Sequence, residues 1–188
     1  MSEATRQRDM IGMLIDDHRS VEEAFQQFES GGLTPEQRRN LIDHIITELV
    51  RHSVAEEQYL YPTARETLPD GNEIADHEIS EHAEAERTMK QLESLDPHDE
   101  QFTNTANELI SSIRHHVQDE ENDLFPKLRQ SCSSERLEEL GGKIQQAKET
   151  APTRPHPSSP TKPPMNKILD PGAGLVDRAR DALTGRSH

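Results

Sequence analysis

Two stretches of this sequence carry the same polar side chains at the same spacing. His52 to Pro62 reads HSVAEEQYLYP, and His116 to Pro126 reads HVQDEENDLFP. Both follow the pattern HxxxEExxL[YF]P, and the second begins 64 residues after the first. Two further histidines, His18 and His82, are also 64 residues apart. A repeat of this kind indicates two copies of one helical hairpin that share a polar site.

The polar residues of the repeat and its surroundings have the donor atoms that transition metals prefer. Histidine and glutamate four positions apart share one face of a helix and differ by only about 6 Å along its axis, so both can bind one ion. Imidazole and carboxylate donors favour iron, zinc, manganese or copper and exclude a calcium cage or a thiolate site. A structural zinc site usually closes with four ligands, so more donors favour a pair of ions. We predict seven metal ligands: His18, His52, Glu56, Glu78, His82, His116 and Glu120.

Apolar residues at three- and four-residue spacing predict four long helices that position these ligands. The helices are expected at about 8–29, 35–62, 72–95 and 99–127, with Pro62 kinking or ending the second. The seven candidates occupy seam positions that would otherwise be apolar. Short connections imply antiparallel neighbours, so the predicted class is all-α, an up-down-up-down antiparallel four-helix bundle. Two short C-terminal helices, 134–140 and 143–150, are expected across one end, separated by Gly141 and Gly142.

One HxxxE pair alone is more often an exposed ion pair than a metal site. Here the pair recurs on the predicted buried face of two helices, and each of the other two helices adds a histidine. Such groups are costly to bury unless they pair with one another or hold a metal. Glu57 and Glu121 also recur, but a step of one residue turns them out of the seam, so we expect solvated neighbours or acceptors for the ligands.

We expect other histidines and the aromatic residues of the repeat to lie outside the set of metal ligands. His77 and His115 are expected to flank the site, and Tyr61 and Phe125 to pack ahead of the prolines. The remaining histidines are expected at the surface or in the tail: His44, His98, His156 and His188.

Composition narrows the function classes. Only 30% of the residues are hydrophobic and 3% are aromatic, so a bound metal would supplement a thin core. The net charge of −15, concentrated in residues 1–150, opposes binding to nucleic acid or anionic membranes. Cys132 is the single cysteine, which excludes an internal disulfide and suits a reducing compartment. With no apolar signal region or spanning segment, a cytoplasmic location is expected.

The C-terminal part has a different composition. Residues 151–166 are rich in Pro, Ser and Thr and are expected to form a linker. A short helix is possible at 173–183 with its apolar residues on one side: Leu175, Val176, Ala179 and Leu183. We expect two regions, the four-helix bundle at 1–150 and, at 151–188, a Pro-rich linker and flexible tail.

The series H, HxxxE, H, HxxxE with its EExxLFP-like endings resembles the hemerythrin HHE cation-binding domain over roughly residues 8–150. The resemblance implies a four-helix bundle that holds two non-haem iron ions, oxo- or hydroxo-bridged. It implies that Glu56 and Glu120 bridge the ions. One iron then takes His18 and His52, and the other takes His82 and His116.

Oxygen-carrying hemerythrins have HxxxH on helix 3 and a longer His-to-Asp interval on helix 4. This chain has Glu78 in place of the first of those histidines, and HxxxE on helix 4. Leu14 occupies the position in helix 1 that corresponds to Glu78, so the two ions are expected to have unequal coordination. The less saturated ion is where O2, NO or peroxide would bind.

Two function classes follow from the resemblance. One is a binding module that reversibly binds or senses O2, NO or iron itself; the other is an enzyme that consumes peroxide. The additional carboxylate suits the enzyme because anionic oxygen donors favour ferric iron. A ferritin-like oxidase uses ExxH at i, i+3 and more bridging carboxylates, so the His-before-Glu order argues against that class. The sequence contains no Ser/His/Asp or Cys/His constellation that predicts nucleophilic catalysis, and it identifies no protein partner.

Overall fold

The computed structural model describes residues 9–157, 173–178 and 181–182, and this part of the chain contains helices and no strand. The predicted all-α class is therefore confirmed. Within residues 9–157, seven α-helices follow in order: α1 Met10–Glu29, α2 Pro35–Ala55, α3 Tyr61–Thr67, α4 Gly71–Ser94, α5 Glu100–Asp119, α6 Phe125–Ser131 and α7 Ser134–Thr150. Two π-helical turns join consecutive helices: π1 Glu56–Leu60 between α2 and α3, and π2 Glu120–Leu124 between α5 and α6.

The turn between α1 and α2 shows why these helices begin and end where they do. Gly31 and Gly32 have φ angles of 77° and 78°, a left-handed conformation that glycine adopts without steric cost. Thr34 Oγ1 then accepts from the Gln37 N–H at 3.2 Å, and the Thr34 N–H donates to Gln37 Oε1 at 2.8 Å. This reciprocal pair is the predicted capping box, and it satisfies two backbone donors at the start of α2.

Both π-helical turns begin at the first glutamate of the repeat and precede its proline. Pro62 and Pro126 have no N–H, and their rings collide with the carbonyl four residues earlier in a regular α-helix. The wider turn accommodates this change, with bonds from residue i to residue i+5. The Tyr61 N–H accordingly donates to the Glu56 carbonyl. The chain passes through Pro62 and continues as α3 rather than ending there.

Two apolar clusters lie on either side of the predicted ligands along the helices. On α1, for example, Leu14 precedes His18 in one cluster and Val21 follows it in the other. The first cluster draws on α1, α2, α4 and α5 and includes Val21, Phe25, Ile45, Met89, Phe102 and Leu109. The second includes Leu14, Leu60, Leu124, Leu137 and Ile144. The four long helices thus share one core, which makes the fold a helical bundle; their up-down-up-down order stays a prediction.

The C-terminal helix differs from the expectation. Residues 134–150 form one helix, α7, and Gly141 and Gly142 do not divide it. Each glycine costs up to about 1 kcal/mol relative to alanine in a helix. Leu137, Leu140 and Ile144 lie on both sides of the glycine pair and are all buried in the second cluster. That burial outweighs the local cost, and α7 packs against α1, α2 and π1.

The first residues of the expected linker pack against the bundle. Thr153 is fully buried, and its N–H donates to Asp177 Oδ2 at 3.2 Å. Arg154 donates to Asp181 Oδ1 at 2.7 Å and to Glu93 of α4 at 3.1 Å. These polar contacts add to the burial of Ala151, Pro152 and Pro155, so residues 151–157 pack against the bundle although they offer little apolar surface. His156, expected at the surface, pairs with Asp177 at 2.8 Å.

Residues 173–178 and 181–182 are helical, in keeping with the short helix considered for this region. The sequence predicted an apolar side for this helix but not its orientation, and the polar side faces the protein. Leu175 and Val176 are 68% and 66% exposed, whereas Asp177 and Asp181 are buried. The predictions for Ala179, Leu183 and His188 lie outside the side chains that the structure describes. Within the described residues, no helix combines the length and the apolarity needed to cross a membrane.

Candidate metal centre

The seven predicted ligands lie together between the two apolar clusters. Each is at least nine-tenths buried: His18, His52, Glu56, Glu78, His82, His116 and Glu120. They come from α1, α2, π1, α4, α5 and π2, so the repeat contributes both halves of one centre. Seven ionisable side chains in an otherwise apolar core require compensating charge.

The histidines form two pairs with their Nε2 atoms facing each other. His18 Nε2 lies 3.2 Å from His52 Nε2, and His82 Nε2 lies 3.2 Å from His116 Nε2. The rings of both pairs meet edge to face, with centroids 4.9 and 4.8 Å apart. The two pairs are thus equivalent under the 64-residue repeat, and they correspond to the pairs that the family resemblance implies.

Glu56 and Glu120 each approach both histidine pairs. Glu56 Oε1 is 3.0 Å from His52 Nε2, and its Oε2 is 3.4 Å from His82 Nε2. Glu120 Oε2 lies 3.5 and 3.7 Å from one imidazole of each pair. A carboxylate in this position can contribute to two neighbouring ions.

An outer carboxylate contacts the Nδ1 atom of every one of the four histidines. The pairs are His18 with Glu121 at 2.9 Å, His52 with Asp17 at 3.2 Å, His82 with Glu57 at 3.1 Å and His116 with Glu81 at 3.0 Å. An ionised carboxylate can only accept, so Nδ1 carries the hydrogen. In the neutral ring Nε2 then keeps its lone pair, which faces the centre, and the carboxylate strengthens it as a metal donor.

These outer carboxylates also recur at the 64-residue spacing. Glu57 and Glu121 were expected as solvated neighbours or as acceptors for the ligands, and the structure places them as acceptors. Asp17 and Glu81 were missed. The signal that identifies them is a carboxylate directly before the first histidine of each copy, again 64 residues apart.

Several buried carboxylate oxygens in the centre have no hydrogen-bond partner. In the described part of the chain these are both oxygens of Glu56, Oε2 of Glu78 and Oε2 of Glu120. The other buried side-chain polar atoms without a partner are Nε of Arg38 and of Arg51. Buried polar atoms are nearly always paired in folded proteins, so four unpaired anionic oxygens within one buried cluster indicate that a cation belongs there.

The spacing of the donors suits one ion for each histidine pair. Nitrogen and oxygen donors bind such cations at about 2.1 Å, so two donors at right angles lie about 3.0 Å apart. The facing nitrogens and carboxylate oxygens are 3.0 to 3.7 Å apart. Two of the groups whose donor atoms lie within 4.8 Å of one another each contain one histidine pair: His18, His52, Glu56 and Glu120, and Glu56, His82 and His116. The residues therefore fit metal binding.

Nearby carboxylates raise the basicity of the histidines. Burial lowers the pKa of His52, but Glu56 and Asp17 outweigh it and raise the pKa to about 10. Burial likewise lowers the pKa of His82, but Glu56 and Glu57 raise it to about 9. Protons and metal ions therefore compete for the same inward nitrogens.

Glu78 lies at the edge of the centre. Its Oε2 is 2.8 Å from His116 Nδ1, but the hydrogen of that nitrogen is donated to Glu81, and Glu78 Oε2 stays unpaired. Glu78, His116 and Glu120 can each bring one donor atom within 4.8 Å of the others. The neighbouring His77 has a side chain that is 60% exposed, which confirms its flanking position.

Tyr61 was assigned to packing, yet its hydroxyl lies in the centre. The residue is fully buried, its Oη donates to Glu120 Oε1 at 3.0 Å, and Oη is 3.1 Å from His82 Nε2. Burial and the neighbouring carboxylates raise the pKa of Tyr61 well above its ordinary value, so the phenol holds its hydrogen. At α-helical spacing Tyr61 would turn away from Glu56. The π-helical turn, through the Tyr61 N–H to Glu56 bond, brings both onto one face.

A cavity of about 350 Å³ opens beside the centre. It reaches the histidines, and its walls are largely apolar, including Val21, Phe25, Leu49, Ile113 and Val117. Arg114 lines it as well and is paired with Glu22 and Glu29 at 2.9 and 2.7 Å. The cavity gives small molecules a route to the inward nitrogens.

Comparisons with known proteins agree with this geometry. Residues 9–128 match the family described as the hemerythrin HHE cation binding domain. An uncharacterized hemerythrin-like protein of Schizosaccharomyces pombe is 28% identical over 171 residues, which cover 90% of this chain and 84% of that protein. A DNA nickase of Nostoc sp. is 29% identical over 143 residues, which cover 75% of this chain but only 38% of that protein. No solved structure matches the chain. Because the family match spans more than half of the sequence and includes all seven candidate ligands, this chain belongs to the hemerythrin HHE cation-binding domain family.

Proposed function

We propose that this protein binds two non-haem iron ions and uses them to bind or sense O2, NO or peroxide. The observation that carries the proposal is the arrangement of the four histidines. Each presents Nε2 to the centre while a carboxylate holds its Nδ1, and unpaired carboxylate oxygens complete the site. Imidazole and carboxylate donors suit iron, and family membership favours iron over zinc, manganese or copper.

In this proposal each histidine pair serves one ion and two carboxylates are shared. His18 and His52 bind the first ion, whereas His82 and His116 bind the second. Glu56 and Glu120 approach both pairs and bridge them, and Glu78 adds a further oxygen on the side of His116. Bound iron supplies redox chemistry and coordination positions for a small ligand.

The cavity supports ligand binding at the centre because all four histidines line it. Its walls are largely apolar, and its size admits diatomic molecules and peroxide readily. Leu14 is fully buried at the position that corresponds to Glu78, so the first ion has fewer protein donors. We therefore expect small ligands at the first ion.

The second candidate is a peroxide-consuming enzyme. The unpaired Glu78 oxygen favours it, because added anionic oxygen donors stabilise ferric iron. The balanced reaction converts two molecules of hydrogen peroxide into two of water and one of O2, and it requires no external reductant.

One experiment separates the two candidates. Protein reduced without oxygen is mixed separately with O2, NO and peroxide while the optical spectrum and gas release are followed. A reversible spectral change with O2 or NO supports the binding function. Sustained O2 release from peroxide supports the enzyme. Metal-free protein is the control, and protein that takes up no iron would refute both.

Neither function requires a nucleic acid partner. The similarity to a DNA nickase covers a minor part of that protein, and this chain carries a net charge of −15 that repels phosphate. We expect supercoiled plasmid to stay intact when incubated with the iron-loaded protein. A cytoplasmic location stays a prediction.

A further inference from the structure

The hydroxyl of Tyr61 lies against two residues of the candidate metal centre. Oη is 3.1 Å from the inward nitrogen Nε2 of His82 and 3.0 Å from Oε1 of Glu120. Two ligands at right angles on one ion lie about 3.0 Å apart when each bond is about 2.1 Å. The tyrosine oxygen is therefore spaced from its neighbours as these donors are spaced from one another.

Packing alone does not account for this hydroxyl. The corresponding residue of the other repeat is Phe125, which is 2% exposed and stacks on His18 with ring centroids 5.7 Å apart. The fold thus accepts a ring without a hydroxyl at this position. In the first copy the ring carries an oxygen, and that oxygen is fully buried among the inward-facing donors.

The two halves of the centre differ accordingly. The cavity is lined by the histidines, but Tyr61 is not part of its lining. The first half, with His18 and His52, has the phenylalanine ring. The second half, with His82 and His116, has the tyrosine oxygen, which lies outside the cavity lining.

We propose that Tyr61 is a direct ligand of the iron held by His82 and His116, through its phenolate oxygen. This inference rests on the proposed iron centre and goes beyond the ligands that the repeat predicts. On binding, the Tyr61 O–H bond breaks, the oxygen bonds to ferric iron, and the proton leaves to solvent. The second ion is then more saturated than the first, which directs external ligands to the first ion.

The test uses the ferric, iron-loaded full chain and two matched variants. Phenolate bound to ferric iron gives a charge-transfer band in the visible range, and resonance Raman excitation in that band enhances the vibrations of the tyrosine ring. The chain has two tyrosines, so Tyr61→Phe removes the proposed ligand and Tyr59→Phe removes the other. Iron content is measured for each preparation.

We expect Tyr59→Phe to keep the band and the ring vibrations and Tyr61→Phe to lose both while it still binds iron. Iron-loaded wild type without these signals, or a band that persists in Tyr61→Phe, overturns the proposal and leaves the iron centre standing. A protein that binds no iron overturns the centre and the ligand together. If Tyr61→Phe does not fold, Tyr59→Phe decides alone, because Tyr61 is then its single tyrosine.

Discussion

Replacing Asp17 with asparagine tests the contribution of the outer carboxylates. Asp17 Oδ2 lies 3.2 Å from His52 Nδ1, and its side chain is 19% exposed, so water screens its charge only partly. The substitution keeps the size and an acceptor oxygen but removes the charge that strengthens His52 as a donor. Loss of such a partner lowers metal affinity about 10- to 100-fold, which corresponds to roughly 1.4–2.7 kcal/mol.

Affinity is measured by anaerobic competition between the protein and a chelator for ferrous iron. Two controls separate the effect on His52 from other roles of Asp17. Asp16→Asn makes the same charge change at an exposed neighbour, and Lys148→Gln removes the ion pair that joins Asp17 to α7. We expect both controls to bind iron as the wild type does. Equal affinity of Asp17→Asn and Asp16→Asn, or an equal loss in Lys148→Gln, would refute the reasoning.

Three further predictions concern the iron content, the pH dependence of stability and two glycine positions. Iron analysis should give close to two ions per chain, and His52→Ala or Glu120→Ala should lose metal and melt at a lower temperature; at most one ion, or unchanged melting, contradicts the di-iron centre. In metal-free protein the pKa values of His52 and His82 are raised to about 10 and about 9. Their stabilisation is therefore complete below pH 6.5 and is lost as the pH rises through 9 to 10. Urea unfolding at pH 7 and pH 10 checks this, and equal stability would oppose it. Gly142→Ala should stabilise α7 by about 0.5–1 kcal/mol, because nothing lies within 4 Å of the added carbon. Gly31→Ala should destabilise the protein, because Gly31 has a φ of 77°. Denaturant midpoints that shift in the same direction for Gly142→Ala and Gly31→Ala would contradict these two expectations.

The burial of the seven candidate ligands was predictable because their side chains break the apolar pattern of a helix seam. An amphipathic helix buries its seam, so His52 and Glu56 in that seam must be satisfied inside the protein. The 64-residue repeat then linked every candidate except Glu78 to a counterpart, without any knowledge of how the helices pack. The capping box at Thr34 was equally local, since both of its bonds join residues three apart.

The outer carboxylates were only partly predictable. Glu57 and Glu121 appeared in the repeat, but the histidines that they contact are 25 and 103 residues away in sequence. Which histidine each one serves depends on which helices are neighbours. Asp17 and Glu81 carried a local signal that was overlooked, a carboxylate before each first histidine.

Local composition gave wrong predictions for residues 134–157, because contacts with distant residues decide their structure. Gly141 and Gly142 predicted a break because glycine disfavours helix interiors, but burial of Leu137 and Ile144 outweighed that preference. Thr153 and Arg154 looked like linker residues because they offer little apolar surface. Their order comes from pairing with Asp177 and Asp181, which lie more than twenty residues further along the chain.

The sequence by itself determined the helical class, the seven candidate ligands and the chemistry of their donor atoms, because periodicity and repetition are properties of the chain alone. Only the tertiary structure decided what surrounds those ligands. The proline of each HxxxEExxL[YF]P motif follows a five-residue π-helical turn within the helix. In the first copy this wider turn brings Tyr61 onto the same face as Glu56. Packing of the helices then places its hydroxyl against His82 and Glu120. A residue that α-helical spacing assigned to packing thus became the feature that distinguishes the two halves of the centre.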